Sequence, residues 1–494
     1  MKVHLAFFII SAVILFLGFY PHYYAYQQTP AGYTFSGQAS YFDPWDITNY
    51  FSAIRQAQLH KSFLLENWNT TENLPKTFIY PLYALTGILF SAVNPVFLYY
   101  AMAVIFSVLL CLVIFLVSRW FLFDNKLSLI SLFLISLGGG FGWLVSNSNQ
   151  SADISIPGVT LFSAFQKPHE ALALILFSLS LVLFFLGLQR KNTRLTLLSI
   201  LTLILLIPLY PYRLLIWFLV GSVFLLIWGG NWQSYLLGGL AAGLFSLVYI
   251  KHFLTSGFSV LTTFQSQPLP ILSLILGYGI FGIIFFLQLF LKLKYSHERL
   301  FLNLWIIVSL LLSFWPGMGR LFLAGTIIPL VLIFLLSYKE MTGRLRVPTV
   351  LLLIIVIVFA PLSSFYIFNK QINETANLNI WYYLPNDVSS GLGSLRNLPK
   401  DGVLALPPLN SYITAQTSKK VYFGHKDQTP KIAERQEQAA LFYKNAFSDQ
   451  EALAFLKQNN ISYIIYTGQE KQLGQPYNFL SNIEKSANLE IWEY

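Results

Sequence analysis

The strongest constraint on this chain is a series of apolar runs, most close to twenty residues long, separated by short polar breaks. A hydrocarbon layer about 30 Å thick takes ~20 apolar residues of helix to cross. Inside it the backbone must satisfy its own N–H and C=O groups, so such runs fold as helices. On that template about eleven spans are expected, near 4–20, 96–118, 127–145, 171–189, 195–209, 213–229, 235–250, 270–291, 300–315, 321–338 and 348–366. Charged residues make up only 11% of the 494 and hydrophobic ones 55%, which fits a polytopic membrane protein. Residues 79–93 are apolar but short and read as a partly embedded or interfacial helix. No small-x-small cleavage site precedes Phe19–Tyr26, so residues 4–20 read as an uncleaved first span.

The +10 formal charge is distributed unevenly. With the N-terminus cytoplasmic, one set of loops carries Lys2, Arg119, Lys126, Arg190, Lys191, Arg194, Lys292, Lys294, Arg299, Lys339, Arg344 and Arg346. The opposite short loops carry only Lys167, Arg213, Lys251 and Arg320. By the cytoplasmic Lys/Arg bias, residues 21–78 and everything beyond 366 lie outside an integral plasma or inner membrane. No basic run interleaved with aromatics points to nucleic acid. The single cysteine, Cys111, lies in an apolar run and offers neither a disulfide nor a cysteine metal site.

After residue 366 the pattern changes. Short apolar strands at 402–408, 420–425, 461–467 and 489–494 alternate with helical patterns at 430–447 and 449–458. Ile432, Ala439 and Phe442 fall on one helix face. The expected plan is a membrane domain over 1–366, with its first outer loop at 21–78, and a small extracytoplasmic α/β domain over 367–494.

The first outer loop carries the residues of interest. Asp43 and Asp46 lie three apart beside Pro44 and Trp45, and carboxylates next to a bilayer are costly. Asp43 can cap a helix that Pro44 opens, with Asp46 favouring its dipole. Alternatively, Asp46 is a general base and Asp43 its helper. Four other polar groups map to the same side: Lys167-Pro168-His169-Glu170, Tyr210-Pro211-Tyr212-Arg213, Lys251-His252 and Trp315–Arg320. A cation on the disfavoured side calls for an anionic partner. A lipid phosphate suits Arg213 and Arg320, and snorkelling to headgroups is the other reading. His169 and Glu170 are adjacent and do not share a helix face, and no further ligands cluster with them, so no metal and no other cofactor is expected. Gly138-Gly139-Gly140 reads as close helix packing inside a span. No phosphate-binding glycine loop is present, and the cytoplasmic loops are too short for a nucleotide-sugar domain.

These residues resemble a known family. Asp46, Tyr50, Ile54-Arg55-Gln56-Ala57, Glu66-Asn67, Thr71-Glu72 and Tyr80-Pro81-Leu82-Tyr83 with Gly87 are similar to a protein-mannosyltransferase-like bacterial branch of the GT-C membrane glycosyltransferases. Pro168-His169, Tyr210–Arg213, Gly319-Arg320 and Val421–His425 with Thr429 resemble later landmarks of that branch. The resemblance implies a GT-C fold and inverting transfer of a sugar from a polyprenyl-phosphate donor to a glycan, lipid or protein acceptor. Asp46 matches the loop acid. Many relatives have two adjacent acids there, whereas this chain has Trp45-Asp46 preceded by Asp43. Arg320, Arg213, His169 and Tyr212 would then hold the lipid phosphate, and Tyr50, Arg55, Gln56 and Glu72 would shape the loop or contact the acceptor. A flippase for lipid-linked saccharides would instead line its spans with polar residues. A non-catalytic envelope-assembly protein would tolerate loss of Asp46.

Overall fold

The computed structural model describes residues 2–145, 151–230, 232–263, 269–290, 296–342 and 346–494. Three of the basic loop residues, Lys292, Lys294 and Arg344, lie outside these ranges. Among the described residues, seven helices are long and apolar enough to cross a bilayer: Lys2–Gln27, Pro95–Leu122, Pro168–Gln189, Trp232–Leu254, Ile271–Phe290, Gly319–Thr342 and Val347–Ala376. The other four expected spans fall on shorter helices, Asn125–Leu137, Thr193–Leu206, Arg213–Trp228 and His297–Leu312, of 13, 14, 16 and 16 residues. The chain is an α-helical polytopic membrane protein with a small C-terminal α/β region.

The chain divides into two compact units. The first comprises Met1–Pro21, Tyr100–Tyr249 and Gln265–Gln371, and the second His22–Tyr99, Ile250–Phe264 and Ile372–Tyr494. In the first unit, long apolar helices pack through aromatic side chains. Phe185 lies 4.8 Å from Phe301 and 5.5 Å from Phe121, ring to ring. The three glycines do not continue a helix here. Helix Asn125–Leu137 stops at Gly138, and the N–H groups of Gly140 and Gly142 donate to Asp153 Oδ2 at 2.8 and 3.2 Å. A Cβ on Gly140 would stand 1.9 Å from the Leu276 carbonyl oxygen, so only glycine fits this approach. Burial pushes the Asp153 carboxyl up, against the hydroxyls of Ser151 and Ser363 and the glycine N–H groups.

The second unit joins the first loop to the tail. Its strands, in chain order, are β1 (Tyr33–Phe35), β2 (Leu64–Leu65), β3 (Thr77–Phe78), β4 (Tyr383–Pro385), β5 (Val403–Leu404), β6 (Tyr463–Tyr466), β7 (Ser481–Lys485) and β8 (Glu490–Glu493). The tail sheet has the order β5-β6-β8-β7. The β5–β6 pair is parallel and the other two are antiparallel. β1 of the loop pairs antiparallel with β4 of the tail, and the Val421 N–H donates to the Trp68 carbonyl at 3.0 Å. Residues 420–425 thus contribute a single bridge, Val421 to Val403, rather than a full strand. Helices Ile432–Tyr443 and Asp449–Gln458 fall where the periodicity places them, with Ala439 and Phe442 buried. Helices Asn386–Asn397 and Leu409–Gln416 add to the tail. The first helix runs on through Pro21 to Gln27. Its last turns are held because His22 Nδ1 accepts the Ala39 N–H at 3.0 Å and Tyr383 donates its hydroxyl to the Ala25 carbonyl at 3.0 Å.

Candidate functional site

Asp46 lies in the first turn of helix Pro44–His60, which Pro44 opens with its preset φ and missing N–H. Asp43 occupies the cap position with φ 47°, a left-handed conformation that Asp tolerates, and its side chain makes no capping hydrogen bond. The tail meets this turn. His425 Nε2 lies 2.7 Å from Asp46 Oδ1, with the two side chains 5% and 28% exposed. Lys426 Nζ sits 5.2 Å over the Trp45 ring, which packs edge-on against Trp381.

A buried amide network holds the turn that carries His425. Asn69 Oδ1 accepts the His425 N–H at 2.8 Å, and Asn69 Nδ2 donates to Asn49 Oδ1 and Gln428 Oε1, each at 3.0 Å. Gln428 Nε2 donates to the Tyr80 hydroxyl at 2.7 Å, and Asn67 Nδ2 donates to the carbonyls of Gln428 and Gly257. Thr429 closes the turn by donating to the Asn69 and His425 carbonyls while accepting the Gly424 N–H. Among the described residues only Asn49 Nδ2 of these amides has no partner, and because the members share their bonds, losing one strands several buried groups at once.

The loop residues singled out in the sequence build the frame of the same unit. Tyr50 is buried and stacks on Tyr83 at 4.7 Å. Arg55 Nε donates to the Ala415 carbonyl at 3.0 Å. Burial, and then the nearby Arg396, bring its guanidinium down to about 10. Gln56 uses both ends of its amide on the Glu66 backbone, at 3.1 and 2.9 Å. Glu72 pairs with Arg435, which also donates to the Tyr422 carbonyl.

The cationic candidates collect in the other unit. Arg213 opens helix Arg213–Trp228 and is 1% exposed, stacked 4.9 Å over Tyr210 and 5.3 Å over Phe177. Its Nε and Nη1 have no hydrogen-bond partner among the described residues. The Tyr212 hydroxyl hydrogen-bonds the Arg213 guanidinium and feels the charges of Glu170 and Arg320. His169 lies in the first turn of helix Pro168–Gln189, with its ring 6.1 Å from Tyr210. No group of three or more His, Cys, Asp or Glu side chains that could hold a metal ion forms among the described residues.

The sequence reading did not pair Asp46 with His425, nor did it find the Asn69–Gln428–Thr429 network. The available signal was the landmark Val421–His425 with Thr429, whose Gly424 has no room for a side chain. A Cβ there would stand 2.3 Å from Asn69 Oδ1.

The fold these elements make is shared by solved structures of an archaeal oligosaccharyltransferase and of ArnT. The chain is similar to the oligosaccharyltransferase of Archaeoglobus fulgidus in its apo form, with 13% identity and a TM-score of 0.59 over 95% of this chain and 71% of that one. It is also similar to the same archaeon's oligosaccharyltransferase AglB in complex with an inhibitory peptide and a dolichol-phosphate, with 13% identity and a TM-score of 0.55 over 93% and 69%. ArnT from Cupriavidus metallidurans bound to undecaprenyl phosphate superposes with 11% identity and a TM-score of 0.54 over 98% of this chain and 97% of that one. No family model matches the chain, and no curated protein matches it in sequence.

Proposed function

We propose that the protein transfers a sugar from a polyprenyl-phosphate donor to an acceptor outside the cytoplasm. The observation that carries this reading is Arg213. A buried guanidinium whose Nε and Nη1 find no partner among the described residues is costly unless an anion completes it. Two of the similar solved structures hold a polyprenyl phosphate, dolichol-phosphate in AglB and undecaprenyl phosphate in ArnT. In this reading Asp46 takes the proton from the acceptor hydroxyl or amine. The acceptor atom bonds to the anomeric carbon, the bond from that carbon to the phosphate oxygen breaks, and polyprenyl phosphate leaves. Direct displacement inverts the anomeric centre. Arg213, with Arg320, His169 and Tyr212, stabilises the charge that gathers on the departing phosphate. Asp43 helps orient Asp46 or contacts the acceptor. The basic-residue bias then places the N-terminus in the cytoplasm and the loop and tail outside. Labelling of Lys2→Cys and Tyr494→Cys from each side of sealed vesicles checks that sidedness, since the native Cys111 is buried.

The test of the chemistry is release of polyprenyl phosphate, and sugar transfer, by purified protein given a panel of synthetic polyprenyl-phosphate sugars. We expect Asp46→Asn to lower turnover by about 10²- to 10⁴-fold. Added EDTA should leave wild-type turnover unchanged. Full turnover in a folded Asp46→Asn would remove Asp46 from the chemistry and direct attention to His169 and Glu170.

A further inference from the structure

The tail turn that begins at Gly424 meets the start of helix Pro44–His60 residue against residue, His425 on Asp46 and Lys426 on Trp45. His425 is fixed at three atoms. Its backbone N–H donates to Asn69 Oδ1 at 2.8 Å, its Nδ1 accepts the Asp427 N–H at 3.2 Å, and its Nε2 lies 2.7 Å from Asp46 Oδ1. A ring nitrogen that accepts a backbone N–H carries no proton of its own. The proton of a neutral ring is therefore on Nε2 and is donated to Asp46.

We propose that His425 is the positioning residue of Asp46. This rests on the reading of Asp46 as the general base. The Nε2–H bond fixes Oδ1 and with it the orientation of the carboxylate that takes the acceptor's proton, and it stabilises the ionised form. His425 is not a proton relay, because its second nitrogen is already engaged by Asp427. The base is thus built from two stretches of chain 379 residues apart, and the tail holds it in register. That gives the C-terminal region a direct part in the reaction, beyond choosing the acceptor.

The test compares wild type, His425→Leu, His425→Gln and Asp46→Asn as full-length protein, with the polyprenyl-phosphate sugar panel as probe. Gln keeps an N–H donor at roughly the reach of Nε2, and Leu keeps only bulk. We expect His425→Leu to lower kcat by about 10- to 100-fold, the cost of a loosely held base, with KM for the donor within about twofold. The acid limb of its kcat profile should move to higher pH, because a carboxylate that loses a donor to its charged form ionises less readily. His425→Gln should restore most of kcat and move the limb back. A histidine that only supports folding would lower thermal stability in both variants and leave the acid limb in place.

A folded His425→Leu with wild-type kcat and pH profile, beside an inactive Asp46→Asn, would overturn the positioning role and leave the base intact. Turnover surviving in Asp46→Asn would overturn the base itself. A readout independent of turnover is the ¹⁵N spectrum of the chain's 7 histidines in lipid, with His425 assigned by its loss in His425→Leu. The expected signal is a neutral ring protonated at Nε2 that shifts in Asp46→Asn. A ring protonated at Nδ1, or one indifferent to Asp46, would overturn the proposal even if no donor in the panel turns over.

Discussion

Asp46 and Arg213 are both charged side chains in a mostly apolar chain, yet their surroundings are opposite. Asp46 is more than a quarter exposed and held by an imidazole that is itself held by an amide network. Arg213 is almost fully buried between aromatic rings, with Nε and Nη1 unpaired among the described residues. The first is a charge made ready by its protein partners. The second is a charge that Tyr212 meets only in part, with two of its nitrogens unpaired among the described residues. A group meant to react needs a fixed direction and an open side, whereas a group meant to bind an anion needs donors left vacant in a dry place.

The contrast predicts different failures. Removing Arg213 should cost much activity and little stability. Arg213→Met keeps the packing against Phe177 and Tyr210 and deletes a buried, incompletely paired charge. We expect turnover to fall by about 10²- to 10³-fold while thermal stability holds or rises. Polyprenyl phosphate should raise the melting temperature of the wild type and not that of the variant, since only a folded chain that binds the ligand is stabilised by it. A variant that melts earlier and still responds to the lipid would make Arg213 a structural residue and undo the comparison.

The network around Asp46 should fail the other way, through stability first. Asn69 serves His425, Asn49 and Gln428 at once. Asn69→Leu leaves those buried groups without that partner, at roughly 1–3 kcal/mol for each group stranded. Gly424→Ala drives a methyl against Asn69 and should cost about 1–3 kcal/mol by overpacking. Thermal melts of the purified variants check both. Variants with unchanged melting temperatures would mean that the turn carrying His425 is not rigid.

The same contrast explains what could be read from the sequence. The seven long apolar helices were legible because run length maps directly onto the thickness of a bilayer. Asp46 and Arg213 were legible as charges, one in a loop of an apolar chain and one on the side where cations are scarce. Their surroundings were not. His425 lies 379 residues from Asp46, and no periodicity links two such positions. The burial of Arg213 between Tyr210 and Phe177 is a property of packing, which residue types do not announce. Asp153 stayed hidden for a related reason. Gly138–Gly140 read as helix packing, and only the fold shows a carboxylate collecting the N–H groups of Gly140 and Gly142. Tyr50, Arg55, Gln56 and Glu72 were picked out through the family resemblance as loop or acceptor residues, and the tertiary contacts place them in the loop's frame.

The smallest effect tests how firmly loop and tail are joined beside that network. Glu66 of the loop pairs with Lys76 at 3.0 Å and with Lys420 of the tail at 3.2 Å. Burial alone would raise its carboxyl, but Lys76 and Lys420 outweigh burial and hold it below its ordinary value of 4.5. A carboxyl lowered in this way binds its proton less readily folded than unfolded. Its contribution is therefore complete above the unfolded value and is lost as pH falls through the folded one. Wild type should be more stable than Glu66→Gln at pH 7 by about 1 kcal/mol or less, since these pairs are partly exposed. The gap should close as the melts are taken down through pH 4.5 and below. A gap that stays constant over that range would mean the lysines do not act through the charge of Glu66, and that the join rests on the backbone pairing of Trp68 with Val421 and of β1 with β4.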